Sequence, residues 1–210
     1  MKIISTNLGN PTKIVWNGKE TTTGIYKFPV DQPILLESTD VKGDSVIDRK
    51  HHGGIYKAAY LFSADRYAYW KEKYPDLEWN WGMFGENLTI QGLDESQIRI
   101  GSIYRLGTAL VQITQPREPC YKLGIRFKDQ NMIKQFIDQG FPGTYVRVLE
   151  NGTVKTGDSM ELSKASETPL TVQEFYKLLY AKTKDSDVLR LALQNEAIPK
   201  SKREKLKKWT

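Results

Sequence analysis

Over the first 163 residues, short β-branched or aromatic runs recur between turn signals, the pattern of a chain built mainly of short strands. The runs cover residues 2–6, 12–16, 34–37, 58–62, 103–106, 110–114, 145–149 and 159–162. Asn17-Gly18 and Asn151-Gly152 are dipeptides that favour tight hairpin turns. Two segments change to helical spacing. Residues 63–74 have Ser63 in N-cap position and Pro75 just past their end. Residues 129–139 carry Met132, Ile133, Phe136 and Ile137 on one face, with Gly140 as C-cap. Strands this numerous and this short predict a closed or nearly closed barrel.

The pattern changes after residue 162. Residues 163–169 form a polar linker. Thr171-Val172-Gln173-Glu174 is a capping box, followed by Phe175, Leu178 and Leu179 on one helical face. Residues 186–193 form a second short helix, and Ser201-Lys202-Arg203-Glu204 is another capping box that opens a basic helix ending at Trp209. Three short helices bury little by themselves. The expected fold is therefore mainly β with some α: a β-barrel domain over 1–163 and a docked three-helix appendage over 164–210.

Charge sharpens this division. The net charge is +6, of which residues 164–210 carry +5 (11 Lys and Arg against 6 Asp and Glu). The barrel part is close to neutral. A basic tail invites a nucleic-acid reading, but a solvated helical face explains it more simply, so no nucleic-acid partner is expected. One cysteine permits no internal disulfide. No apolar run reaches the ~18 residues of a membrane span, and the first residues lack the apolar core of a signal peptide. The expectation is a cytoplasmic protein, monomeric or homodimeric.

Four segments are too dense in glycine and functional groups for ordinary strand and turn. In Gln115-Pro116-Arg117-Glu118-Pro119-Cys120-Tyr121-Lys122-Leu123, two prolines stiffen the backbone ahead of the thiol. Arg117 and Lys122 are close enough to favour a thiolate if they point at it. A single cysteine can equally be a small buried hydrophobe. In Asp48-Arg49-Lys50-His51-His52-Gly53-Gly54, four donors precede two glycines, whose N–H groups an anion can approach closely. That suits a phosphate or carboxylate; a charged, solvated loop is the plainer alternative. Lys27, in Lys27-Phe28-Pro29-Val30, lies on a strand that Pro29 confines to an edge. Asn87, in Phe84-Gly85-Glu86-Asn87-Leu88, can hold a carbonyl-rich ligand or cap a turn. Two adjacent histidines and one cysteine lack the ligand count of a zinc framework, and the dinucleotide, P-loop and nucleophile-elbow motifs are absent.

Together these segments resemble the MOSC-domain family, named after the C-terminal domain of molybdenum-cofactor sulfurases, and within it the bacterial YiiM-type branch. The likeness is carried by Lys27-Phe28-Pro29-Val30, by Gly43-Asp44 with residues 48–54, by residues 84–88 and by residues 115–123, supported by Gly143-Thr144-Tyr145-Val146-Arg147-Val148 and Gly157-Asp158. Gly101-Ser102 departs from the family's Gly-Asp. The resemblance implies a barrel that binds the molybdenum cofactor (molybdopterin), with Cys120 as catalytic thiolate and metal ligand. It places Lys27, Arg49, Lys50, His52, Gly53, Gly54, Asn87 and Arg117 around the cofactor. It implies reduction of small N-hydroxylated compounds, such as N-hydroxylated bases, with electrons from a separate reductase. A sulfur carrier with a persulfide on Cys120 is the alternative. The C-terminal helices are expected to shape access to the site and to carry none of its chemistry.

Overall fold

The computed structural model describes the chain from Met1 to Thr210 except the side chains of Lys50 and His51. The expected role of Lys50 thus lies outside the described residues.

The chain opens with β1 (Lys2–Gly9), β2 (Thr12–Trp16), β3 (Lys19–Thr23), β4 (Lys27–Pro29) and β5 (Ile34–Leu36). A single helical turn, α1 (Arg49–His52), leads to β6 (Ala59–Ser63), α2 (Tyr67–Lys73) and β7 (Leu88–Gln91). Then come β8 (Ile103–Leu106), β9 (Ala109–Pro116), α3 (Tyr121–Arg126), α4 (Asn131–Gln139), β10 (Thr144–Glu150), β11 (Gly152–Val154) and β12 (Met160–Lys164). The chain finishes with α5 (Val172–Tyr180), α6 (Ser186–Gln194) and α7 (Lys200–Leu206).

One eight-stranded sheet runs β12-β8-β9-β10-β6-β7-β1-β4, antiparallel except for β6 against β7. It curls until the start of β1 meets β12. Lys2 bridges Ser159, and the Ile3 amide donates to the Asp158 carbonyl at 2.9 Å. That closure gives the barrel expected from the strand pattern. Asn17 and Gly18 both take positive φ (50° and 73°) and join β2 to β3 as the sequence predicts. Asn151-Gly152 makes no such hairpin, because β11 pairs with β5. The helix expected over 63–74 begins as a 3₁₀ turn, and Ser63 makes no side-chain cap.

The Thr171 capping box forms. The Ser201 box does not: α7 starts at Lys200 after Pro199, with no side-chain cap. More consequential is where these helices sit. Leu170, Val172, Phe175, Leu189, Ile198 and Leu206 belong to the same buried cluster as Ile3, Leu61, Leu88 and Val146 of the barrel. Each large apolar side chain buried there contributes roughly 1.5–3 kcal/mol. A second, aromatic cluster packs Tyr60, Phe62, Trp70, Phe84, Phe127 and Phe136 beneath α2, α3 and α4. It forms the floor under the cysteine turn.

Candidate active site

Cys120 ends the extended segment after β9 and immediately precedes α3, at φ −132° and ψ 170°. Its thiol is partly exposed at a pocket bordered by Gly24, Asp44, His52, Lys57, Tyr60, Arg117, Lys122 and Tyr145. The interior that water-sized molecules can occupy is about 80 Å³. Gly24 permits the close wall: a Cβ there would stand 1.7 Å from the Ser45 carbonyl oxygen. The β2–β3 hairpin leans on the same region, with Trp16 stacked on Tyr121 at 4.8 Å between ring centroids.

His52 bridges two groups. Its Nε2 lies 3.7 Å from the Cys120 Sγ and its Nδ1 lies 3.5 Å from the Tyr145 hydroxyl. Burial, then the cations Arg117, Lys57 and Lys122, push its pKa down to about 3, so the ring is neutral at pH 7. Burial pushes Tyr145 up to about 12, so its hydroxyl keeps its proton. The consistent assignment has Tyr145 donating to Nδ1 and Nε2–H donating to sulfur.

Arg117 is 4% exposed, and its guanidinium lies over the rings of Tyr60 and Phe136 at 5.3 and 5.6 Å. Among the described residues its buried Nη1 has no hydrogen-bond partner. An orphan donor on a permanent cation at a pocket wall is costly unless a ligand completes it. Lys122 is also buried, with its ammonium 4.0 Å from Asp48.

The remaining expected residues divide. Lys27 borders the pocket, but it is buried and bonded to Asp44. The Asn87 amide is already engaged: Oδ1 accepts from the Tyr60 amide at 3.2 Å, and Nδ2 donates to Asp44 at 3.0 Å and to the Asn7 carbonyl at 3.4 Å. Both lock the wall in place. Arg49 is exposed, pairs with Asp40 and stands outside the pocket lining. Gly53 and Gly54 border a neighbouring groove instead. Ser102 accepts from the Ser166 amide at 3.0 Å, away from the site. The sequence reading missed Tyr145 and Lys57 as site residues. Tyr145 had a signal in its Gly-Thr-Tyr-Val segment; Lys57 had none. Among the described residues, no three His, Cys, Asp or Glu side chains gather to hold a metal.

Residues 48–161, more than half the chain, match the MOSC domain. The chain belongs to the MOSC-domain family. The match takes in His52, Cys120 and Tyr145, which border the thiol pocket. YflK of Bacillus subtilis is 35% identical over 199 residues, covering 95% of this chain and 90% of its own. A protein of Gibberella moniliformis described as a reductase is 32% identical over 176 residues; the match covers 82% of this chain but only 31% of that one. The crystal structure of YiiM from Geobacillus stearothermophilus superposes with a TM-score of 0.82 at 30% identity, covering 99% of this MOSC protein and 98% of the other chain. Among the described residues, no helix is long and apolar enough to cross a membrane.

Proposed function

We propose that this protein binds the molybdenum cofactor in the Cys120 pocket and reduces N-hydroxylated compounds. The observation that carries the reading is the pairing of a partly exposed thiol with the buried, partnerless Nη1 of Arg117 on one pocket wall.

The residues fit the group. One soft thiolate suits a sulfur-rich metal centre whose other ligands come from the dithiolene of the cofactor itself. That is consistent with a site holding a single protein ligand. Arg117 and Lys122 offer cations for its anionic end. When bound, the cofactor would supply the two-electron redox centre.

The protein's own groups do the rest. His52 Nε2–H faces the sulfur and donates to it. Tyr145 fixes the ring from the other side. The net reaction takes N–OH to N–H and water, using two electrons and two protons. The chain has one cysteine and no iron–sulfur framework, so the electrons are assigned to a separate reductase. The relationship to a reductase of which this chain spans 31% supports an oxidoreductase role.

The test is expression in a cofactor-competent host, with molybdenum, pterin and N-hydroxyl reduction measured on the purified protein. Stoichiometric cofactor with turnover supports the proposal. A protein free of molybdenum that gains one sulfur atom on Cys120 would favour the persulfide carrier.

A further inference from the structure

Beside the cysteine pocket runs a second, larger concavity of about 1430 Å³, its mouth included. One wall is the Gly53–Gly54 segment with Tyr56 and Lys57, and the other is α7 with Trp209. Lys57 borders both cavities. The groove therefore adjoins the thiol pocket.

Its chemistry is uneven. Among the described residues, the charged side chains that border it are Lys57, Lys202 and Lys205 against Glu118. Lys202 donates to Glu118 and, at 3.2 Å, to Gln115. That pair neutralises Glu118 and ties the groove to the turn that carries Cys120. Burial, then the charge of Lys202, lowers the pKa of Lys57, and the carboxylates of Glu118 and Asp48 act against that. Aromatic surface lies alongside. Trp209 is 39% exposed, carries Lys184 over one face at 3.9 Å, and also borders the groove, as does Tyr56. Lysines beside flat rings fit an oxyanion attached to a planar heterocycle.

We propose that this groove is the subsite for a phosphate-bearing part of the substrate, so that the preferred substrates are N-hydroxylated nucleotides and the free bases are poorer. The inference deepens the functional reading above and takes its substrate class from it. Its test needs no turnover. The full-length protein is titrated with adenosine 5′-monophosphate, adenosine and inorganic phosphate by calorimetry at two salt concentrations. The monophosphate is expected to bind at least ~10-fold more tightly than adenosine, as one charged hydrogen bond implies, and more weakly at high salt. Lys205 is exposed, so Lys205→Glu should fold and should weaken the monophosphate by about 10-fold or more. Trp209→Ala should weaken the monophosphate and leave inorganic phosphate unchanged. Equal affinity for adenosine, an unaffected Lys205→Glu, or inorganic phosphate binding as tightly as the monophosphate would each overturn the assignment. A protein that binds the monophosphate as described yet never reduces N–OH groups would instead refute the functional reading and leave the groove standing.

Discussion

The His52 ring stands between the Cys120 sulfur and the Tyr145 hydroxyl, 3.7 Å from one and 3.5 Å from the other. A neutral imidazole held in this way is a fixed donor to sulfur. Cys120→Ser should therefore leave the fold intact and abolish N-hydroxyl reduction, since a hydroxyl is a poor soft-metal ligand. Thermal melting and turnover on the same sample decide this. Full activity in the variant would remove Cys120 from the chemistry.

Two arginines separate binding from surface charge. Arg117→Met removes a buried cation whose Nη1 lacks a partner, so cofactor occupancy should fall by roughly 10- to 150-fold in affinity. Arg49→Ala removes an exposed partner of Asp40, worth about 0–1 kcal/mol, and occupancy should hardly change. Molybdenum content against added cofactor reads both. The reverse ranking would mean that the anionic end of the cofactor lies near α1.

Lys27 is predicted to be a structural clamp. Its partner Asp44 is buried, also accepts from the Gly9 amide at 2.9 Å and from Asn87, and would lose its cation in Lys27→Met. Breaking one side of a buried pair costs about 3–5 kcal/mol. Urea unfolding should show a loss of that order; an unchanged midpoint with reduced cofactor uptake would restore the ligand role.

Glu95 gives a pH signature away from the site. It is fully buried, accepts from the Gly143 amide at 2.8 Å, and burial pushes its pKa up to about 7 from 4.5. Below pH 4.5 it is protonated in both folded and unfolded chains. Between pH 4.5 and 7 the unfolded chain releases the proton and the folded one holds it, so stability falls as pH rises. Glu95→Gln keeps an acceptor for Gly143 and cannot ionise. It should gain up to about 3 kcal/mol over the parent by pH 8 and show no difference in slope below pH 4.5. Parallel stability curves for the two proteins from pH 4.5 to 8 would contradict this account.

Ending the chain near Leu162 should cost the barrel its fold. Leu170, Val172, Phe175, Leu189, Ile198 and Leu206 would leave the common core. At 1.5–3 kcal/mol each the loss is on the order of 10 kcal/mol, comparable with the whole stability of a domain. The truncated protein should be insoluble or lack near-ultraviolet circular dichroism. A soluble, cooperatively melting product would show that the barrel stands alone.

The sequence by itself determined what a few neighbouring residues decide. The short strands, the Asn17-Gly18 turn, the Thr171 capping box and the stiff approach to Cys120 all rest on local dihedral preference and nearby hydrogen bonds. The motif segments marked where chemistry gathers. Which side chains face the thiol was beyond local reach. His52 and Cys120 are 68 residues apart, and His52 and Tyr145 are 93 apart. Their meeting depends on how β6, β9 and β10 pair and how the sheet closes. The same packing turned Arg49 outward to Asp40 and Arg117 inward onto the Tyr60 ring. It gave β11 to β5, against the hairpin preference of Asn151-Gly152. It also drew the basic helices into the barrel core, because their apolar faces had no other surface large enough to bury them.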